Sequence, residues 1–215
     1  MMRGHDPGRW MAAGPVVGTV LGTVDSVVNH VPRWLGEGGM ARAERGGWSQ
    51  AAEFASLALD AGWLWAATAV LVGWLASREA RPVAGMLRGA VAGTLALVFA
   101  TTAYFYWDAL FDGGPWWSVF WLIGSVAVGP VLGVAGALIR RPGLVGTLAA
   151  LLVPAGAALQ MVVLPPPPES LMAQPMRLTV WVSAAAAAVL IIRAARADGA
   201  ARAADGSEEP AAVPQ

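Results

Sequence analysis

Six long apolar runs constrain this chain more than any other feature. A helix needs about 20 apolar residues to cross the hydrocarbon core of a bilayer. Runs of that length fall at residues 11–31, 54–76, 83–107, 116–139, 143–164 and 176–197. Inside lipid a backbone has only itself to hydrogen-bond, so each run is expected to be a helix. The expected fold is all-α: a polytopic membrane bundle of six transmembrane helices. Composition agrees, since 57% of the 215 residues are hydrophobic and 13% are charged, about half the charge of a soluble domain. The first run does not read as a cleaved signal peptide, because Asp25, Asn29 and His30 interrupt it and no small-residue cleavage site follows.

Arginine placement sets the expected topology. Arg3 and Arg9 precede the first run, Arg78 and Arg81 follow the second, Arg140 and Arg141 follow the fourth, and Arg193, Arg196 and Arg202 attend the end of the sixth. These segments alternate as they should if both termini are cytoplasmic. The segment after the third run carries Asp108 and Asp112 and no arginine, and the one after the fifth carries Glu169. Residues 32–53 mix Arg33, Arg42 and Arg45 with Glu37, Glu44 and Glu53, and are assigned to the outer membrane surface because the other loops agree. Residues 1–10 then form a short cytoplasmic N-terminus. Residues 165–168 are a stiff polyproline stretch, and residues 198–215 read as a disordered cytoplasmic tail. The arginine, alanine and glycine bias points to a GC-rich bacterial genome, hence to a bacterial cytoplasmic membrane.

Missing residue types narrow the chemistry. Without cysteine there is no disulfide, thiolate metal site or thiol nucleophile. Without lysine there is no Walker-type phosphate loop and no Schiff base. His5 and His30 are the only histidines, so no metal site and no cofactor are expected. Zero net charge and no basic patch argue against nucleic acid as a partner.

Glycines recur every fourth residue at Gly14, Gly18 and Gly22, at Gly85, Gly89 and Gly93, and at Gly129 and Gly133. That spacing lines small residues along one helix face, where backbones approach closely. Tight packing within the chain is the plainer use of these faces, and a homodimer the other. Pro130 and Pro154 are expected to kink their helices. The first run contains GPVVGTVLG and the fourth GPVLGVAG, a hint of an inverted three-plus-three repeat.

Ionisable groups inside apolar runs are costly and mark functional sites by default. Asp25, Asp60 and Asp108 are therefore the candidate catalytic residues, all in the outer half of the membrane. Helical spacing extends each into a polar face: Gly18, Gly22, Asp25 and Asn29; Glu53, Ser56, Asp60 and Trp63; Thr101, Tyr104 and Asp108. Asn29, Glu53, Trp63, Tyr104, Trp117 and Trp121 are the candidate substrate contacts. Trp and Tyr also form ordinary interfacial belts, and His30 reads as an interfacial histidine. If Asp25 and Asp60 meet in an apolar cavity, one can hold a proton and act as an acid. Aromatic rings stabilise a cation formed by protonation. An acid, such a wall and a dry site are what proton-initiated cyclisation of a lipophilic isoprenoid requires.

The glycine repeats, the YFYWD end of the third run and the stretch AVGPVLGVAGA resemble small multi-pass membrane proteins of actinobacteria. The chain also resembles, more weakly and without a shared motif, the small membrane-bound terpene cyclases. That second resemblance implies a metal-independent cyclase taking an isoprenoid from the bilayer through intramembrane carboxylic acids. The same carboxylates equally serve a small transporter or ligand-binding membrane protein, which would hold a cation or proton at the midplane. A structural membrane protein is the third reading.

Overall fold

The computed structural model describes residues 9–207. Seven α-helices follow one another: α1 Arg9–Trp34, α2 Gly47–Leu59, α3 Gly62–Ala76, α4 Pro82–Asp112, α5 Val119–Leu138, α6 Leu144–Val163 and α7 Ala173–Ser207. A short 3-10 turn at Arg42–Glu44 precedes α2, and there is no strand among the described residues. Five helices, α1, α4, α5, α6 and α7, are long and apolar enough to cross a membrane. The molecule is thus a helical bundle, consistent with a membrane protein.

The second apolar run departs from the single span expected of residues 54–76. It divides into α2 and α3, which meet at a 55° bend, and a sixth crossing exists only if the bent pair counts as one. The break falls at Asp60 and Ala61. Asp60 caps α2, its amide donating to the Ser56 carbonyl at 2.8 Å, and Ala61 is extended and opens α3. The Trp65 indole donates back across the break to the Leu59 carbonyl at 2.8 Å. It thereby satisfies one of the carbonyls that a helix end leaves without a partner.

Other boundaries shift for local reasons. Arg81 is extended and Pro82 opens α4, where its fixed φ suits a helix start and its missing N–H costs nothing. The helix then runs beyond Trp107 to Asp112 and stops at Gly113, whose φ of +73° is the left-handed cap that glycine adopts most easily. Asp108 and Asp112 accordingly sit in its last turns and not in a loop. Helix α7 continues past residue 197 to Ser207 and takes in the first part of the segment read as a tail. Residues 1–8 and 208–215, at the two ends of the predicted cytoplasmic segments, lie outside the described residues. Pro130 and Pro154 lie inside continuous helices.

Helix α4 is the centre of the bundle, with α1, α3 and α5 packed against it. Glycine explains how closely. A Cβ on Gly18 would strike the Ala96 carbonyl, and one on Gly22 the Ala100 carbonyl, so α1 lies backbone to backbone on α4. On the other side Gly133 of α5 meets Gly89 of α4, while Gly136 meets the Val70 carbonyl of α3. Gly85 faces Ser77 just before α4. All three glycine faces therefore make close contacts within the chain. Val72, Ala76, Ala92 and Ala96 form the core of this part, with Ala13 and Val17 packed against them. The α6–α7 hairpin has a smaller core of Ala157, Met161, Met176 and Val180, which Phe54, Leu57 and Ala58 of α2 help to cover.

The two ends of the bundle differ in charge. At one end Arg140 donates to the Arg78 carbonyl at 3.2 Å, and the Arg78 guanidinium lies 4.1 Å from the centre of the Trp74 ring. The far ends of α1 and α4, together with residues 35–46 and α2, form the opposite end, which carries the carboxylates.

Close approach makes a sharp prediction. Gly133→Val should destabilise the bundle by about 1–3 kcal/mol or more, because the added carbons meet backbone that has no rotamer to change. Gly124→Ala should be neutral or slightly stabilising, since nothing lies within 4 Å of its missing Cβ. Thermal melts of the two variants in the same detergent check the contrast.

Candidate functional site

Asn29 is where the polar faces of α1, α2 and α4 converge. It lies one turn beyond Asp25 on α1, and Asp25 follows one turn beyond Gly22. The close contact at Gly22 and Ala100 therefore carries the polar end of α1 down onto α4. From Asn29, Nδ2 donates to Asp60 Oδ2 at 3.1 Å and to the Tyr104 hydroxyl oxygen at 3.1 Å. The Ser56 hydroxyl donates to Asn29 Oδ1. One amide thus ties α1 to the break after α2 and to α4.

Asp25 lies behind this group. It is 0% exposed, and neither carboxyl oxygen has a hydrogen-bond partner among the described residues. Its nearest charged neighbour is Asp60, and Asp60 in turn interacts with Asp108. Two carboxyl groups packed together away from water need a proton or a cation between them. The end of α2 adds to that need, because a helix C-terminus carries partial negative charge.

Asp60 also faces a cleft of about 920 Å³, open at the carboxylate end of the bundle. Asn29, Tyr104, Glu53 and Asp108 line it as well. Nearer the mouth stands His30, 5% exposed. Its Nδ1 lies 2.7 Å from the Ser26 carbonyl, which can only accept, so Nδ1 carries the hydrogen. Its Nε2 lies 3.3 Å from Asp112 Oδ2 and 3.8 Å from Asp108 Oδ1. Arg33 pairs with the other oxygen of Asp112. His30, Asp108 and Asp112 are close enough together to share one metal ion, but Arg33 already neutralises Asp112. Arg33 and His30 thus each face a carboxylate of this group.

Residues 35–46 form the outer wall. Gln50 Nε2 donates to the carbonyls of Arg42 and Arg45 at 3.1 and 3.3 Å, holding both arginines beside the first turns of α2. Arg42 pairs with the buried Glu53 at 2.9 Å. Glu37 Oε2 accepts the Gly46 amide at 2.9 Å. The Ser49 hydroxyl and that amide hold the Glu37 carboxyl below the usual glutamate range.

Of the residues picked from the sequence, Asp25, Asn29, Asp60 and Tyr104 come together, with Glu53 and Asp108 along the same cleft. The three tryptophans do not join them. Trp63 packs against the α6–α7 core, and its amide donates to Gln160 Oε1 at 3.0 Å. Trp117 lines a separate apolar pocket of about 160 Å³ beside Thr101 and Thr102, and Trp121 is 58% exposed. Trp65 is the aromatic that stands near the group, with its ring 6.5 Å from that of Tyr104. His30, read from the sequence as an interfacial histidine, and Arg33 and Asp112, read as loop residues, were not among the candidate site residues. The signal for Asp112 was the four-residue spacing from Asp108 before a Gly-Gly-Pro stop, which keeps both on one face of a longer helix.

Two outcomes follow. Asn29→Ala and Tyr104→Phe should be non-additive by about 0.5–1.5 kcal/mol in a double-mutant cycle read by unfolding in detergent, since both remove the same bond. Glu37 bears on pH. A carboxylate held below its free value stabilises the wall above the ordinary glutamate range, and loses that contribution as pH falls through its lowered value. Amide exchange in residues 37–46, corrected for intrinsic pH dependence, should therefore lose protection on acidification, and Glu37→Gln should abolish the dependence. No protein family, no curated protein and no solved structure matches this chain.

Proposed function

We propose that the chain is a membrane-embedded binding protein for a small cationic solute, of the small-transporter or receptor kind. Asp60 is its principal ligand group. The observation that carries this reading is Asp25, fully buried and without a hydrogen-bond partner, set directly behind an aspartate that faces the cleft. A cation at Asp60 supplies the missing positive charge. The broken helix adds support: unwound segments and half-helix C-terminal ends are where membrane transporters hold cations. By the positive-inside rule the arginine-rich end faces the cytoplasm, both termini with it, and the cleft opens to the outer side of a bacterial cytoplasmic membrane. Counting α2 and α3 as one bent crossing gives six spans.

Terpene cyclisation is the weaker alternative. Asp25 and Asp60 suit an acid pair, but Tyr104 is the one member of the proposed aromatic wall that lines the cleft, and most of the remaining lining is polar or charged. That lining favours a polar solute over an isoprenoid chain.

The test uses the full-length protein in lipid nanodiscs, titrated calorimetrically with n-butylammonium and alanine amide, each bearing one positive charge and no anion. Binding is expected in the wild type, at least tenfold weaker in Asp60→Asn and unchanged in Trp121→Ala. The asparagine keeps the shape of Asp60 and can still accept from Asn29. Folded wild-type protein that gives no heat with any cation overturns the reading in favour of a structural membrane protein.

A further inference from the structure

The charged groups that line the cleft change along α2: arginines join the carboxylates towards one end. Glu53, Ser56, Leu57 and Asp60 all line the cleft, positions that share one helix face. From Glu53 to Asp60 the rise is about 10 Å, at 1.5 Å per residue. Asp60 has Asp25 behind it and Asp108 beside it, while His30 stands against Asp108 and Arg33 pairs with Asp112 nearer the mouth. At the Glu53 end Arg42 and Arg45 face the same space, fixed there through their carbonyls by Gln50. Arg42 has one guanidinium nitrogen on Glu53. Arg45 makes no ion pair among the described residues, and its Nε is buried without a hydrogen-bond partner. Arg45 acts electrostatically on Glu37, one oxygen of which is held by the Gly46 amide. Arg45, without an ion pair, thus stands towards the Glu53 end of the cleft, and Asp60 at the other.

We infer that the ligand is an elongated zwitterion, with its ammonium at Asp60 and its carboxylate at Arg45, towards the Glu53 end of α2, a helix rise of about 10 Å from Asp60. This rests on the cation-binding reading and adds the other half of the ligand. An α-amino acid is too short to reach both ends. An extended tripeptide, at roughly 3.3–3.6 Å per residue, spans that distance. Its ammonium then meets the Asp60 carboxylate and its carboxylate the Arg45 guanidinium, which makes no ion pair among the described residues; both contacts are charge-assisted hydrogen bonds. Gly36, Gly38 and Gly39 also line the cleft and add no side chains to its wall.

The experiment compares trialanine, trialanine amide, N-acetyl-trialanine and alanine by calorimetry. The protein is held in phosphatidylglycerol nanodiscs, whose head group carries no ammonium. Trialanine is expected to bind at least tenfold more tightly than the amide, the N-acetyl form or alanine. Arg45→Gln should bring trialanine down to the affinity of the amide and leave the amide unchanged. If the amide binds the wild type as well as trialanine does, the zwitterion is wrong while the cation-binding reading stands. Alanine binding as tightly as trialanine overturns the separation of the two charges. If neither trialanine nor its amide binds, both readings fall. The wild-type comparison decides these outcomes even if Arg45→Gln does not fold.

Discussion

Backbone contact between α4 and its neighbours is the constraint on which the rest depends. In lipid no hydrophobic force drives helices together, so close approach and the dispersion it brings must do so. Gly18 and Gly22 press α1 onto the carbonyls of Ala96 and Ala100, and Gly133 does the same for α5 at Gly89. These contacts fix the rotation of α1 about its axis. That rotation turns Asp25 inward and brings Asn29 over Tyr104. A residue with a side chain at Gly22 would separate the two helices at the level where the polar group forms.

Much of this was legible in the sequence, because apolar length and glycine spacing report on packing directly. Asp25, Asn29, Asp60 and Tyr104 were found by depth and helical face, and they do meet. The break at Asp60 was not legible: the apolar run continues through it, and what ends α2 is a capping conformation with Trp65 reaching back to Leu59. Reading residues 54–76 as one straight helix set Trp63 on the face of Asp60, whereas the 55° bend turns it towards α6 and α7. Trp117 and Trp121 were chosen for their depth in a neighbouring span, and depth carries no information about which way a side chain points. His30 was discounted for want of a second histidine, although carboxylates one helix away serve as its partners.

The site divides its polar groups by how fully they are satisfied. Around Asn29 every side chain has a partner, which fixes the geometry. At Asp25 and at Arg45 polar atoms are buried without one. Such atoms are expensive in a folded protein and are seldom kept for stability alone. Most of the buried side-chain atoms left without a partner among the described residues lie at this end of the bundle, in α1, α2 and the segment before α2.

The length of α3 has a consequence for the surrounding lipid. Its 15 residues reach about 22 Å, short of the roughly 30 Å of a bilayer core. The remaining depth on that side belongs to α2, which is bent away and carries Glu53, Ser56 and Asp60 on one face. If α2 and α3 make one bent crossing, Asp60 stands below the level of the head groups and the cleft is a wet indentation in the apolar slab. Lipid beside α3 would then thin or tilt to meet it, and membrane thickness would become a variable that the site can feel.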